Sequence, residues 1–424
     1  MPAFRNFAGN VRFEPRRVAR PATVAELAAV VRESRRVRAV GAAHSWSPAI
    51  VTDDTLISLD RMTAPRAPAD GRVTVQAGMT LRALNAHLER HGRALANLGS
   101  IDAQTVAGVI ATGTHGTGRA FRCLAAQVAR LDLIDGRGRE VSLERGHPDF
   151  AGAVVGLGAL GVVHAVTFDT VPAFRLRDAT TVEAFDDVIA RVDDVVASAD
   201  HVKLWWFPPS ARCVVFRNHR TDAPPRDNPV QRVLTDRVLG VAIYRSLVAL
   251  GKLTRRRAVP AINEALTAMA GRPFGRTSRS HVGFLTPVPP PHAETEWAFD
   301  ARDLGALLRD YRRVMTAGRD RYNFVQEIRL SRGDDLWLSP GYGRDSVWLS
   351  MYNIDARGWP AQLARFETFA RAHGGRPHWG KDAAFDRAYL RGQYARLDDF
   401  AALAARYDPE RKLRNAWLDS ILDD

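Results

Sequence analysis

Residues 94–118 read Ala94-Leu95-Ala96-Asn97-Leu98-Gly99-Ser100-Ile101-Asp102-Ala103-Gln104-Thr105-Val106-Ala107-Gly108-Val109-Ile110-Ala111-Thr112-Gly113-Thr114-His115-Gly116-Thr117-Gly118. Glycines at 99, 108, 113, 116 and 118 stand among small apolar, hydroxyl and carboxamide side chains. Such a run lacks the bulk for a core. What it offers is backbone. Glycine adopts φ > 0 and puts no side chain between an N–H and a ligand, and successive N–H groups in such turns form concavities that hold phosphate. The segment reads as a binding wall for a phosphate-bearing cofactor. Val40-Gly41-Ala42-Ala43-His44-Ser45 reads as its partner.

Outward from these walls the pattern is mixed. Residues 20–36 predict a helix, with Thr23 as cap and Leu27, Val30 and Val31 on one face. Short strands are predicted at 38–41, 56–59 and 73–75, and a helix over 81–91 that Gly92 ends. Asp135-Gly136-Arg137-Gly138 between apolar runs at 128–133 and 140–143 is a hairpin signal. Gly156–Val163 is a second small-residue segment, leading into a strand at 165–170. Residues 1–172 thus read as one α+β unit. After Pro172, tryptophans and longer helices appear. Residues 222–292 hold most of the proline clusters and a basic stretch, Val230–Arg257, read as a helical insertion or cover. Strands are predicted again at 296–299, 324–330 and 347–352, and helices at 359–372 and 397–407.

Composition narrows the class. The 424 residues are 46% hydrophobic and 25% charged, an ordinary globular balance with length for two or three domains. Cys123 and Cys213 make no disulfide framework, and no Cys/His pattern suggests a metal site. The N-terminal residues lack a signal peptide's apolar run, and the apolar stretch near 238–250 is broken by Arg245. A cytoplasmic protein with reduced thiols is the expectation. The formal net charge of +13 invites a nucleic-acid or membrane-surface reading without redox activity, which stands as the alternative of a different class. The basic residues, however, are spread along the chain and form no nucleic-acid motif. Only Lys203, Lys252, Lys381 and Lys412 are lysines. A lysine is a compact donor with a movable pKa, unlike arginine.

Each chemical candidate has a plain structural counterpart. Gly113–Gly118 lacks the Gly-Lys-Ser/Thr ending of a P-loop, and a tight turn explains it as well. His44 in its small-residue turn is either a hydrogen-bonding residue or a nucleophile toward an electrophilic cofactor carbon. Glu327 and Arg329 lie two apart on a predicted strand, hence on one face. There they form an ordinary ion pair or a grip for a polyhydroxylated substrate. Pro377-His378-Trp379-Gly380-Lys381 is a loop, or a site where Lys381 stabilises developing negative charge.

In combination these segments resemble the FAD-dependent sugar-alcohol and aldonolactone oxidases of the vanillyl-alcohol-oxidase flavoprotein superfamily. The resemblance runs through Asn6–Asn10, Val40–Ser45, Asn97–Ser100, Thr105–Gly118, Gly156–Val163, Glu327–Arg329, Trp337–Asp345, Pro377–Lys381 and Asp408–Asn415, in order over nearly the whole chain. Residues 222–292 match least.

The resemblance implies a two-domain α+β fold. Residues 1–172 would be a PCMH-type FAD-binding domain. Residues 173–380 would be a substrate domain with an antiparallel sheet, and 381–424 a segment returning to the FAD domain. It implies that His44 carries a covalent bond to the flavin 8α-methyl. Val40, Gly41, Ala42, Ala43, Ser45, Ser100, Thr105, Gly108, Thr112, Gly113, Thr114, His115 and Val163 would line the cofactor. Glu327, Arg329 and Lys381 would be catalytic, and Ser100, Ser350, Tyr352 and His378 would join them around the substrate. Ser350 and Tyr352 replace a His and a Thr of the sugar-alcohol oxidases, which argues against simple alditols and leaves aldonolactones or another hydroxylated substrate open. Gly99 resembles the oxygen-reactive members, whose open space lets O2 reach the reduced flavin; a dehydrogenase with another acceptor is the runner-up. No metal is implied.

Overall fold

The computed structural model describes residues 3–226, 240–254, 256–271, 275–286, 291–317, 322–354 and 356–423. The first helix is shorter than its pattern, Val24–Glu33. Thr23 Oγ1 accepts from Glu26 N while the Glu26 carboxylate accepts from Ala22 N, a reciprocal cap. The helix stops early because the N–H groups of Arg35 and Arg36 go to the Asp54 carboxylate. The strand that follows, Val37–Val40, lies parallel to Thr55–Ser58, and so does Arg17–Ala19. Gly41 opens the His44 turn directly at its end.

A four-stranded antiparallel sheet runs in the order Arg72–Gln76, Val162–Asp169, Val128–Ile134, Glu140–Glu144. The predicted hairpin joins the last two. The Asp135 carboxylate accepts from the backbone N–H groups of Arg137 and Arg139, and Gly138 stands at φ +73°, a region that penalises a side chain. Within 94–118 the chain forms the helix Val106–Ala111, whose first two N–H groups go to the carbonyls of Met79 and Ala77.

The second half is built on an eight-stranded antiparallel sheet. Its order is Thr277–Arg279, Arg175–Ala184, Arg212–Thr221, His201–Trp206, Gln326–Ser331, Ser346–Asn353, Ala293–Asp300, Arg376–Pro377. Val347, Leu349 and Met351 enter one apolar core with Trp297, Phe299, Tyr311 and Phe366. The alternate residues Trp348, Ser350 and Tyr352 therefore share the opposite face, and that face carries the chemistry. The helices Trp359–Ala372 and Leu397–Tyr407 have the predicted bounds.

The region 222–292 departs from a purely helical cover. Of its basic stretch, residues 230–239 and 255 lie outside the described residues, and Gly240–Leu253 is helical. Thr277–Arg279 pairs with Arg175–Arg177 at the edge of the large sheet, so the region also supplies sheet. Spacing alone missed a three-residue strand whose partner is a hundred residues away in sequence.

A single apolar core unites residues 27–168 with Leu336, Leu338, Trp379 and side chains from 390–422. The C-terminal segment thus packs against the first half of the chain. Among the described residues, no helix is long and apolar enough to cross a membrane.

Candidate active site and cofactor cleft

The strand end at Val40, the helix Val106–Ala111 and the loop 156–163 enclose a cleft, to which Leu413 adds from the C-terminal segment. Val40, Gly41, Ala42, Ala43, His44, Ser45, Thr105, Gly108, Thr112 and Val163 line it as expected. Gly99, Ser100, Gly113, Thr114 and His115 do not; they fall between the cleft and the large sheet or behind it.

The cleft has the features a dinucleotide needs. The backbone N–H groups of residues 41–45 donate to no atom among the described residues. Ala43 stands at φ +53°, which turns successive N–H groups toward one side as in a phosphate nest. Thr105 Oγ1 is buried without a partner. A Cβ on Gly41 would lie 2.0 Å from that oxygen, so only glycine allows the two walls their approach.

Arg38 fixes this geometry. It is 4% exposed. Its Nε donates to Ala49 O (2.6 Å), Nη1 to Gly158 O (3.0 Å) and Leu413 O (2.6 Å), and Nη2 to Leu157 O (2.8 Å). Burial lowers its pKa to about 10, which leaves it cationic at neutral pH. One cation therefore ties three cleft walls together with carbonyls alone.

His44 stacks on Phe7, with ring centroids 4.9 Å apart. Burial first, and then the charge of Lys381, lower its pKa, so the imidazole is held neutral and nucleophilic. The turn is joined to the Lys381 loop through Trp46, whose N–H donates to Gly380 O at 2.8 Å. Lys381 Nζ lies 4.4 Å from the Trp46 ring centroid and 2.5 Å from Glu294 Oε1.

On the sheet, Glu327 and Arg329 form the expected pair on one face. Arg329 Nη2 donates to Glu327 and also, at 3.1 Å, to Ser100 Oγ. Glu327 further accepts from Trp205 Nε1 (3.0 Å) and Tyr352 Oη (3.3 Å). Burial pushes its pKa up, but Arg329 and Lys203 outweigh that and hold it down at about 2. Glu327 is a fixed carboxylate, poorly suited to be a base.

Three of the expected residues are engaged within the protein. Ser350 shares the face but does not present a free hydroxyl: its Oγ accepts from Glu327 N (3.1 Å) and donates to Glu327 O (3.0 Å), so it locks strand register instead of facing substrate. His378 is 5% exposed; its Nδ1 accepts from Gly380 N at 2.9 Å, and burial lowers its pKa to about 3. It shapes the Lys381 loop. His115 stacks on Trp348 at 3.6 Å and meets Glu296 at 3.4 Å, away from the cleft.

His115, Glu296 and His378 have ligand atoms within 4.8 Å of one another. The tautomer of His378 does not suit a metal. An Nδ1 that accepts a backbone N–H puts the proton of neutral His378 on Nε2, the atom a metal would need.

Lys203, Trp205, Glu294 and Glu296 were given no site role by motif reasoning. Their signal was present: Glu294 and Glu296 alternate along a strand that is otherwise Ala, Thr, Trp and Phe before its final Asp300, and carboxylates inside a buried strand need partners.

Comparison with known proteins agrees with this geometry. Residues 15–144 match a family described as an FAD binding domain, and residues 166–421 match the D-arabinono-1,4-lactone oxidase family. This chain belongs to the D-arabinono-1,4-lactone oxidase family. Similar relatives include an L-gulono-1,4-lactone dehydrogenase of Mycobacterium tuberculosis, 32% identical, with 99% of each chain covered. An alditol oxidase of a Streptomyces species is 33% identical with the same coverage. The L-gulonolactone oxidase of Bos taurus is 29% identical over 99% of this chain and 98% of its own. Among solved structures, the cholesterol oxidase of Brevibacterium sterolicum superposes with a TM-score of 0.86 at 17% identity, covering 99% of this chain and 96% of that one. That similarity shows the fold. As a member of the D-arabinono-1,4-lactone oxidase family, the chain is an FAD-linked oxidoreductase. The basic-surface alternative finds no support.

Proposed function

We propose that this chain oxidises a hydroxyl of a sugar-derived substrate, an aldonolactone or an alditol, with FAD held in the 37–45 cleft and O2 as electron acceptor, giving H2O2. The observation that carries this reading is Arg329, which bonds Glu327 on the sheet and Ser100 on the Gly-rich segment at once. A substrate bound there touches both halves of the chain.

FAD, when bound, accepts the hydride and passes two electrons on. The chain's residues do the rest. Backbone N–H groups of 41–45 and Thr105 would hold the diphosphate, and Val163 would line the cofactor. Arg329, Ser100 and the fixed Glu327 carboxylate orient substrate hydroxyls. Lys381, held by Glu294, stabilises negative charge that develops during transfer. His44, stacked on Phe7 and held neutral, would be the residue that carries a covalent link to the flavin. In this reading residues 1–172 form the FAD domain, 173–380 the substrate domain, and 381–424 the returning segment.

Gly99 favours O2. A Cβ there would lie 3.3 Å from Thr114 Cγ2 and 3.4 Å from His115 O, so a side chain at this position crowds the Thr114–His115 segment. A dehydrogenase is the second reading, favoured by the relative of that name.

The test is a screen of lactones and alditols against purified, FAD-loaded protein. Bleaching of the flavin under anaerobic conditions, followed by recovery and peroxide on admitting air, is expected. Bleaching that only a dye reverses selects the dehydrogenase reading. No bleaching by any sugar-derived compound overturns the substrate class.

A further inference from the structure

Lys203 is a largely buried lysine that so far has served only to help keep Glu327 ionised. It stands directly opposite Arg329 across two antiparallel strands, as Trp205 stands opposite Glu327. Two cations facing each other in a buried sheet repel, so something must favour the arrangement.

The surroundings form a closed ring. Lys203 Nζ donates to Thr286 Oγ1 at 3.0 Å. Thr286 N donates to Ser100 O at 3.1 Å. Ser100 Oγ accepts from Arg329, and Arg329 holds Glu327. Glu327 Oε1 closes the ring 3.7 Å from Lys203 Nζ, beyond hydrogen-bond reach. An ammonium has three N–H donors, and the Thr286 hydroxyl is the one hydrogen-bond acceptor of Lys203 among the described residues. The Trp205 and Phe216 rings, each 5.0 Å away, screen it on its apolar sides. Its side chain is 12% exposed.

We infer that Lys203 is a specificity residue that binds the carbonyl oxygen of the carbon next to the carbinol being oxidised, and so selects aldonolactones or aldonates over alditols. This rests on the function proposed above. A hydroxyl both donates and accepts, and the Glu327–Arg329 pair satisfies either role. An ammonium only donates, and as a point charge it favours the oxygen with most negative character. A lactone carbonyl and an aldonate carboxylate both offer that; an alditol does not.

The experiment compares FAD-loaded wild type with Lys203→Met, Lys203→Gln and Lys203→Arg. Flavin reduction is followed with D-arabinono-1,4-lactone and xylitol. Binding of D-arabinonate is read separately, as a change in flavin absorption without turnover, and thermal melts report folding. Expected is a loss of roughly 10- to 100-fold in lactone kcat/KM for Met and Gln, mostly in KM, as for a lost hydrogen bond from a charged group. Xylitol should change less than about threefold, and Arg should retain part of the selectivity. A weakened D-arabinonate alone identifies the carboxylate as the group held; a weakened lactone alone identifies the ring carbonyl. Equal losses on lactone and xylitol, or none on either carbonyl compound, overturn the role of Lys203 while leaving the oxidoreductase reading intact. Failure of wild type to reduce its flavin with any of these overturns both. Should Met not fold, Gln and Arg decide the same comparison.

Discussion

Arg38 donates to the carbonyl of Leu413 at 2.6 Å, across 375 residues of sequence. The same guanidinium holds Ala49, Leu157 and Gly158. Removing it takes the donor from the carbonyls of Leu157, Gly158 and Leu413, while Ala49 O keeps Asn415 Nδ2 at 3.3 Å. Arg38→Met should destabilise the protein by about 2–5 kcal/mol and weaken FAD binding at least tenfold. Flavin fluorescence titration, together with proteolysis of the C-terminal segment, measures both. Undiminished FAD affinity would show that the walls keep their places without this clamp.

Lys381 and Glu294 make a second pair with a separable role. Lys381→Met should slow flavin reduction by roughly 10²–10³-fold, the scale of losing one charge-stabilising group. Glu294→Gln keeps shape and removes the charge that positions the ammonium. It should cost about tenfold and move the pH profile of the reductive half-reaction. A Glu294→Gln profile identical to wild type would reduce Glu294 to a packing residue.

His44 gives an all-or-none readout. Yellow colour is expected to stay with acid-precipitated wild type and leave with the supernatant for His44→Ala. Colour released entirely from wild type would mean that His44 binds without bonding.

Acid stability follows from buried histidines. Burial lowers His201 to about 4 and His378 to about 3, against about 6.5 in the unfolded chain. Above pH ~6.5 neither state binds these protons. Below it the unfolded state takes them up and the folded state does not, so stability falls as pH drops, by up to about 1.4 kcal/mol per pH unit for each histidine. Glu327, held at about 2, adds its own loss only later, as pH falls from about 4.5 toward 2. Urea midpoints between pH 7 and 5 should therefore decline already, and less steeply in His201→Asn.

Gly99→Ala tests the acceptor. With its Cβ 3.3 Å from Thr114 Cγ2, the variant should fold but reoxidise with O2 at least tenfold more slowly, with dye reduction nearly unchanged. A tenfold slowing corresponds to about 1.4 kcal/mol of added barrier. Stopped-flow reoxidation separates this from a general loss of activity.

How much was legible depended on range. Thr23, the Asp135 hairpin and the two late helices are local chemistry, so spacing revealed them. The facing of Val40–Ser45 by Thr105–Thr112 was legible because small residues have few other uses. The Glu327–Arg329 face followed from strand period two. The bonds of Ser350 to the Glu327 backbone were not legible, because period gives the face but not the hydrogen-bond partner. Lys203, Glu294 and the Thr277–Arg279 edge strand escaped because their partners lie across the sheet, at separations no local pattern encodes.

The Arg38 clamp also carries a timing. Its last acceptor, Leu413, is made 375 residues after Arg38 itself, about 20–75 s at ordinary rates of synthesis. Through that interval the His44 turn exists without its full enclosure. Full enclosure of the cofactor cleft therefore waits until Leu413 has been made.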